Sequence, residues 1–228
     1  MTLPLHSIVI PVLNGARFLD ACLDSVLAQL GATDEAIVVD NGSTDRTLDL
    51  LAARRDPRLI VLHQPVRGIS NARNMGLARA QGRLISFQDC DDLWPPGRQD
   101  VLMAALTDNP AANAAHGRQR VIFDGMPMDE TYAAMDGQHV LMFNILTAMF
   151  RRELLDRVGQ FDPSLAVAED VDYLVRLRQA GMNAVAIDAD VHIRRRHDAN
   201  TTSSTPATAQ RDTLQILRRN IVRRRTGD

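Results

Sequence analysis

The sequence predicts a single Rossmann-like α/β domain with a central mixed, mostly parallel sheet, followed by a C-terminal amphipathic helix. Short apolar runs rich in β-branched residues alternate with segments of helical periodicity, which is typical of strand–helix–strand units. These runs are nearly continuous and do not alternate in polarity, which indicates strands that are covered on both faces of the sheet.

The first half of the chain has the most regular alternation. Strands are predicted at 7–12, 35–40, 58–63 and 83–88, and helices at 16–30, 45–55, 69–80 and 97–108. Asn-Gly pairs and single glycines separate these elements and supply turn and capping signals. Because crossovers between parallel strands are right-handed, the carboxyl ends of the strands are expected at one edge of the sheet.

The second half is less regular. Residues 113–150 are predicted to be irregular, with strand candidates at 119–123 and 145–150. Further helices are predicted at 151–158 and 169–180, and further strands at 184–187 and 191–196. A Thr-, Ser- and Ala-rich linker at 199–209 then leads into a basic C-terminal helix within residues 206–228.

Composition excludes several classes of protein. All 26 basic residues are arginine, so a Walker A loop and a lysine Schiff base are both excluded. The net charge of −2 gives no indication of nucleic acid as a partner, and the two cysteines, Cys22 and Cys90, lack zinc spacing. No apolar run is long enough to span a bilayer, and the N-terminus lacks a secretory pattern, so a cytoplasmic location is expected.

A cluster of carboxylates follows the predicted strand at 83–88. Asp89, Asp91 and Asp92 lie within four residues, and carboxylates this close repel each other unless a cation or a proton offsets their charge. Ligands of open α/β sheets bind at the carboxyl ends of the strands. The cluster therefore predicts a metal site, and the alternative is a solvated acidic turn.

Other candidates follow predicted elements in the same way. Asp40 ends a strand, where its carboxylate can accept hydrogen bonds from a base or a ribose. The alternative is that it forms an Asx-turn with its own backbone. Arg73, early in a helix, suits a diphosphate or else a nearby acid. Glu169 and Asp170 open a helix, where a general base and a simple helix-capping role are both compatible with the pattern. His192 and His197 flank three arginines and are either site residues or structural ones.

The C-terminal helix is amphipathic. Leu214, Leu217 and Ile221 share one face, and arginines cluster nearby. Such a helix either makes peripheral contact with an anionic membrane through 213–225 or docks on its own domain.

Six stretches in order resemble family 2 glycosyltransferases of the A-type nucleotide-diphospho-sugar transferase fold. They are Ser-Ile-Val-Ile-Pro-Val-Leu-Asn (7–14), Ala-Ile-Val-Val-Asp-Asn-Gly-Ser-Thr-Asp (36–45), Gly-Ile-Ser-Asn-Ala-Arg-Asn-Met-Gly (68–76), Ile-Ser-Phe-Gln-Asp-Cys-Asp-Asp-Leu-Trp-Pro (85–95), Phe-Arg-Arg-Glu-Leu-Leu-Asp-Arg-Val-Gly-Gln-Phe-Asp (150–162) and Ala-Glu-Asp-Val-Asp-Tyr-Leu-Val-Arg-Leu (168–177). The resemblance implies a catalytic domain at 1–205, with a nucleotide-binding half at 1–96 and an acceptor-binding half at 97–205.

The resemblance also implies roles for single residues. Asp170 would be the catalytic base, and Asp91 would bind Mn²⁺ or Mg²⁺, with His197 as a second candidate ligand. Asp92, Glu169 and Asp172 would support the site. The donor nucleotide would contact a larger set: Pro11, Val12, Asn14, Asp40, Arg73, Asp89, Cys90 and Asp91.

The implied activity is metal-dependent, inverting transfer of a sugar from a nucleotide-diphosphate donor, UDP-linked, to an acceptor hydroxyl in bacterial glycan or glycolipid synthesis. The acceptor would be a carbohydrate or a lipid-linked molecule. A nucleotidyltransferase would share the fold, but residues 11–17 and the absence of lysine argue against it. A glycoside hydrolase would need two carboxylates across a cleft but no nucleotide site, and a non-catalytic nucleotide-sugar binding module remains a further alternative.

Overall fold

The computed structural model describes residues 5–126 and 128–198 of the chain. Its strands are β1 (His6–Val12), β2 (Glu35–Asp40), β3 (Leu59–His63), β4 (Leu84–Phe87), β5 (Ala114–Phe123), β6 (His139–Leu141), β7 (Ala148–Arg151) and β8 (Ala184–Arg196). Its helices are α1 (Leu19–Leu27), α2 (Thr47–Ala53), α3 (Ile69–Arg79), α4 (Arg98–Asp108), α5 (Glu130–Met135), α6 (Arg152–Val158) and α7 (Glu169–Gln179).

These strands form one mixed sheet. Their order is β3-β2-β1-β4-β7-β5-β6, and β8 pairs with β5. β1 is parallel to β2 and β4, and β2 is parallel to β3. β7 is antiparallel to both β4 and β5, whereas β8 is parallel to β5. The predicted fold class is confirmed, and the carboxyl ends of β1, β2 and β4 meet at one edge of the sheet.

Apolar side chains cover both faces of this sheet, as the continuous apolar runs predict. Ile8 of β1 is fully buried in a cluster with Leu23 of α1. Its neighbour Val9 is buried in a second cluster, which includes Tyr173 of α7. Because successive side chains of a strand point to opposite faces, one apolar run supplies both clusters.

Helix α3 packs unusually close to β1 at Gly76. A Cβ atom added to Gly76 would lie 2.4 Å from Cγ1 of Val9, so only a residue without a side chain fits there. Arg73 lies one turn earlier on the same helix. The close contact therefore helps to set the position of a predicted site residue.

The second half of the chain differs from the prediction in several places. β5 begins at Ala114, and α5 and β6 occupy part of the region that was expected to be irregular. The buried positions of β5 include Gly117 and Gln119, so no continuous apolar run reveals this strand. The two strands predicted at 184–187 and 191–196 form the single strand β8.

The strand candidate at 145–150 is correct only in its second part. β7 begins at Ala148, because the preceding residues form a turn. Oδ1 of Asn144 accepts hydrogen bonds from the backbone N–H groups of Leu146 and Thr147, both at 2.8 Å. This Asx-type turn competes with strand formation.

The predictions about membrane spans and about the C-terminal segment are tested to different extents. No helix within 5–126 or 128–198 has the length and apolar character required to cross a bilayer. The linker at 199–209, the domain boundary at residue 205 and the basic helix at 206–228 lie outside the described residues.

Candidate active site

A cavity of about 520 Å³ opens at the carboxyl ends of β1 and β4. One wall comes from the loops after these strands, including Pro11, Val12 and residues 89–92. The opposite wall comes from residues 144–146 and from the start of α7. The cavity thus lies where open α/β sheets bind ligands.

The acidic cluster forms part of this cavity. Asp89, Asp91 and Asp92 each offer a carboxylate oxygen, and these oxygens lie within 4.8 Å of one another. Burial, followed by the neighbouring charges of Asp92 and Asp89, raises the pKa of Asp91 to about 6. An all-carboxylate donor set with this mutual repulsion fits a hard divalent cation such as Mn²⁺ or Mg²⁺.

Asp92 is held from the side of β8. Its Oδ1 accepts the backbone N–H of Arg195 at 2.7 Å, and its Oδ2 lies 3.1 Å from Nε2 of the fully buried His192. Asp92 as a whole residue is 4% exposed. The Arg195 N–H therefore orients the Asp92 carboxylate, and His192 lies beside it without a hydrogen bond from its Nε2.

Asp91 contacts the second histidine. Nε2 of His197 lies 3.0 Å from Oδ2 of Asp91, and the imidazole packs on the ring of Phe18 with 4.2 Å between ring centroids. His197 lines the cavity, whereas His192 lies behind Asp92 and does not. The structure thus places His197 beside the acidic cluster.

Arg73 connects the acidic cluster to the start of α7. Its Nη2 donates to Oδ1 of Asp89 at 3.0 Å, and its Nη1 donates to Oε1 of Glu169. The residue is 3% exposed, and its guanidinium lies 5.5 Å from the centroid of the Phe161 ring. Both terminal nitrogens are engaged by carboxylates, so Arg73 orders two acidic elements.

Glu169 is buried as well. Burial raises its pKa to about 7, although the positive charge of Arg73 opposes this shift. Its Oε2 is buried and makes no hydrogen bond with the described residues. Glu169 is therefore a carboxylate whose charge depends strongly on Arg73.

Asp170 faces the cavity beside Glu169. It lies in the first turn of α7, and its Oδ1 accepts the backbone N–H of Val171 at 2.8 Å. Asp172 takes a different direction. It forms an ion pair with Arg176 at 2.7 Å and does not line the cavity.

Comparisons with known proteins decide the family. The model of glycosyl transferase family 2 matches residues 7–160. The chain is also 41% identical over 189 residues to a PGL/p-HBAD biosynthesis glycosyltransferase of Mycobacterium tuberculosis, which covers 77% of this chain and 70% of that protein. The chain belongs to glycosyl transferase family 2.

Two solved structures share the fold. S. aureus TarS in complex with UDP-GlcNAc gives a TM-score of 0.72 at 20% identity, over 88% of this chain and 61% of that one. Mannosyltransferase PcManGT from Pyrobaculum calidifontis, in complex with GDP-Man and Mn²⁺, gives a TM-score of 0.69 at 21% identity. The match covers 97% of this chain and 65% of that one. The chain thus spans less than two thirds of either protein, and the likeness concerns the A-type fold.

Within this family 2 member, Asp40 is buried next to Asn41, which lines the cavity. Asp40 itself is 4% exposed and does not line the cavity. Its carboxylate accepts the backbone N–H groups of Gly42 and Ser43 at 3.3 and 3.1 Å. Asp40 therefore orders the loop after β2, as the Asx-turn interpretation predicts, and its contact with a nucleoside stays a prediction.

The other predicted nucleotide contacts line the cavity. Asn14 has a φ of +52°, and its Oδ1 accepts the backbone N–H of Thr44 at 2.8 Å, which joins the loops after β1 and β2. Cys90 lies between the acids, and burial together with their negative charge raises the pKa of its thiol well above its ordinary value. The raised pKa keeps the thiol protonated, so Cys90 adds no charge of its own between the acids.

Sequence reasoning missed several residues of the cavity. Gln119, Asn144 and Leu146 line it, as does Arg67. None belongs to a recognisable acidic or basic motif, and Gln119 reaches the site through a strand irregularity that the sequence does not reveal. The one available signal was that Gln119 is a polar residue within a predicted strand.

Proposed function

We propose that this family 2 member is an inverting glycosyltransferase. It transfers a sugar from a nucleotide-diphosphate donor, UDP-linked, to an acceptor hydroxyl in bacterial glycan or glycolipid synthesis. One observation carries the proposal: the acidic cluster and Asp170 line a single cavity, and Arg73 connects Asp89 with Glu169 beside it.

The donor is assigned to the half of the cavity that is built by β1, β2 and β4. Pro11, Val12 and Asn14 line that side, and Asp40 orders the adjacent loop. Asp89 and Cys90 complete the wall at the end of β4. The complexes of TarS with UDP-GlcNAc and of PcManGT with GDP-Man support a nucleotide sugar as the ligand class.

The metal is assigned to the acidic cluster. Asp91 would hold Mn²⁺ or Mg²⁺ and His197 would add a ligand, while Asp89 and Asp92 support the charge. When bound, such an ion neutralises the charge that builds on the departing diphosphate. The Mn²⁺ complex of PcManGT supports this assignment.

Asp170 is assigned as the general base. It would accept the proton of the acceptor hydroxyl while that oxygen forms a bond to the anomeric carbon and the bond from this carbon to the diphosphate oxygen breaks. A single displacement from the opposite face inverts the configuration, so an α-linked donor gives a β-linked product. Glu169 supports the start of α7 through Arg73, and Asp172 supports the same helix through Arg176.

The acceptor is assigned to the half of the chain after residue 97. The 41% identity to a PGL/p-HBAD biosynthesis glycosyltransferase favours a glycolipid acceptor. Such an acceptor agrees with a cytoplasmic location at the inner face of the membrane.

A thermal-shift panel tests the proposal. The chain is mixed with UDP- and GDP-linked sugars, each with and without Mn²⁺, and the melting temperature is recorded. A ligand at about 100 times its dissociation constant stabilises the protein by about 2.7 kcal/mol. A metal-dependent shift with a nucleotide sugar is expected, and the absence of any such shift contradicts the proposal.

A second measurement separates the alternatives. Incubation with the best-binding nucleotide sugar and water or an acceptor should release the nucleoside diphosphate. Release of pyrophosphate from a nucleoside triphosphate and a sugar phosphate would indicate a nucleotidyltransferase. Metal-dependent binding without release of any product would indicate a binding module.

A further inference from the structure

Gln119 is a buried amide at the wall of the cavity. It is 4% exposed, lines the cavity and belongs to β5. The pairing of β5 with β8 shifts register on both sides of Arg118, so Gln119 pairs with His192. Strand irregularities of this kind re-aim side chains and are common next to active sites.

Hydrogen bonds define which end of this amide faces which neighbour. Because Oδ1 of Asn144 accepts two backbone N–H groups, its Nδ2 must be the atom that donates to Gln119. That donation reaches Oε1 of Gln119 at 3.4 Å, and Nδ1 of His192 lies 3.3 Å from the same oxygen. Oε1 is thus engaged, whereas Nε2 donates to none of the described residues.

The same network leads back to the acidic cluster. His192 lies between Gln119 and Asp92, with its Nε2 3.1 Å from Oδ2 of Asp92. One imidazole therefore separates the Gln119 amide from a carboxylate of the cluster. Gln119 and the acidic cluster also line the same cavity, so the amide and the cluster face one ligand space.

We propose that Gln119 determines sugar specificity, and that its Nε2 donates a hydrogen bond to a hydroxyl of the transferred sugar. This inference rests on the proposed function. The amide is held in place before the ligand arrives, so little ordering is required on binding. A donor that lacks the hydroxyl or carries it in the other configuration leaves the N–H group without a partner, which is how polar sites discriminate between substrates.

Gln119→Met tests the proposal, because methionine has a similar size and offers no hydrogen-bond donor. Dissociation constants are measured calorimetrically, with Mn²⁺ present, for UDP and for UDP-glucose, UDP-galactose and UDP-GlcNAc. The ratio of the UDP constant to the constant of the best-binding UDP-sugar isolates the contribution of the sugar. Loss of one hydrogen bond should lower this ratio about fivefold to tenfold, while UDP affinity stays the same.

Two further variants complete the experiment. Gln119→Asn keeps an amide but withdraws it by one methylene, so it should lower the ratio in the same direction. It also keeps the test available if the methionine variant does not fold. Gln138→Met is the matched control, because Gln138 is exposed and its Nε2 donates to the carbonyl of Ala134 outside the cavity.

The outcomes are distinguishable. If the ratio is unchanged, or if the affinities for UDP and UDP-sugar fall in parallel, Gln119 has a structural role or faces the acceptor, and the inference is overturned. If the wild-type protein binds no nucleotide sugar at all, the proposed function fails and the inference fails with it. A lower ratio together with weaker discrimination between UDP-glucose and UDP-galactose supports the inference.

Discussion

Arg73 and Glu169 are 96 residues apart in the sequence and form a buried ion pair in the structure. The other terminal nitrogen of Arg73 donates to Asp89 at 3.0 Å. One guanidinium thus joins the end of β4 to the start of α7, the two elements that carry the metal candidate and the base candidate. Loss of Arg73 would leave the buried Glu169 without its cation, and removal of the compensating partner from a buried charge costs about 3–5 kcal/mol.

The raised pKa of Glu169 predicts a specific pH dependence of stability. The folded-state pKa of about 7 lies above the ordinary value of 4.5, so the folded state binds more protons between these values. The stability contribution of Glu169 is therefore full below about pH 4.5 and falls, by about 3 kcal/mol, as the pH rises through 7.

Urea unfolding of the wild type and Glu169→Gln from pH 4.5 to 8 measures this contribution. The free energy of unfolding of the wild type minus that of the variant should decrease as the pH rises. A difference that is constant over this range, or one that increases, contradicts the assignment.

Asp91→Asn should have opposite effects on stability and on metal binding. The raised pKa of Asp91 reflects burial and repulsion from its acidic neighbours, so the neutral amide should stabilise the metal-free protein by about 1–3 kcal/mol. The same change removes the predicted ligand, and the Mn²⁺-dependent thermal shift should disappear. Asp49→Asn, which alters an exposed carboxylate on α2, should leave both measurements at the wild-type value.

Asp170→Asn should abolish transfer and spare donor binding. The amide keeps the shape of the side chain but cannot accept the acceptor's proton, so turnover should fall by about two to four orders of magnitude. The dissociation constant of the nucleotide sugar should change little. Asp156→Asn on the exposed side of α6 is the matched control, and unchanged turnover of Asp170→Asn would remove Asp170 from the mechanism.

Gly76→Ala should destabilise the fold even though alanine is the better helix former. In an open helix this change stabilises by up to about 1 kcal/mol. Here the new methyl group would lie 2.4 Å from Cγ1 of Val9, and overpacking of this kind costs about 1–3 kcal/mol. Thermal or urea unfolding of the wild type and the variant shows directly whether the free energy of unfolding falls or rises.

A double-mutant cycle locates the cause of that cost. Replacement of Val9 by alanine removes the atom that the new methyl group meets, so Gly76→Ala should cost less in a Val9→Ala background. Equal costs in the two backgrounds would place the cause elsewhere.

The half of the chain before residue 97 is the more predictable part of the fold. β1 to β4 and the helices between them are short contiguous patterns, and each strand is a single apolar run. β5 is only partly predicted, because its buried positions include Gly117 and Gln119, and all three residues of β6 are exposed. These strands depend on their partners more than on their own composition.

Part of the candidate site was also readable from the sequence. Asp89, Asp91 and Asp92 lie within four residues of the chain, so local pattern alone identifies them as a metal candidate. Asp170 opens a helix, and only the family resemblance singles it out as the base candidate. The structure brings them to one cavity, together with His197. It places Asp40 and Asp172 outside the cavity lining, because hydrogen bonds with Ser43 and Arg176 direct their carboxylates elsewhere.

Local sequence patterns are sufficient for the fold class, the family resemblance and the acidic cluster, because each depends on short stretches of neighbouring residues. The tertiary structure decided which groups those residues contact. Arg73 meets Glu169 across 96 residues, and His192 meets Gln119 across 73. Such contacts depend on helix packing and on strand register, and a register shift in β8 leaves no mark in local composition.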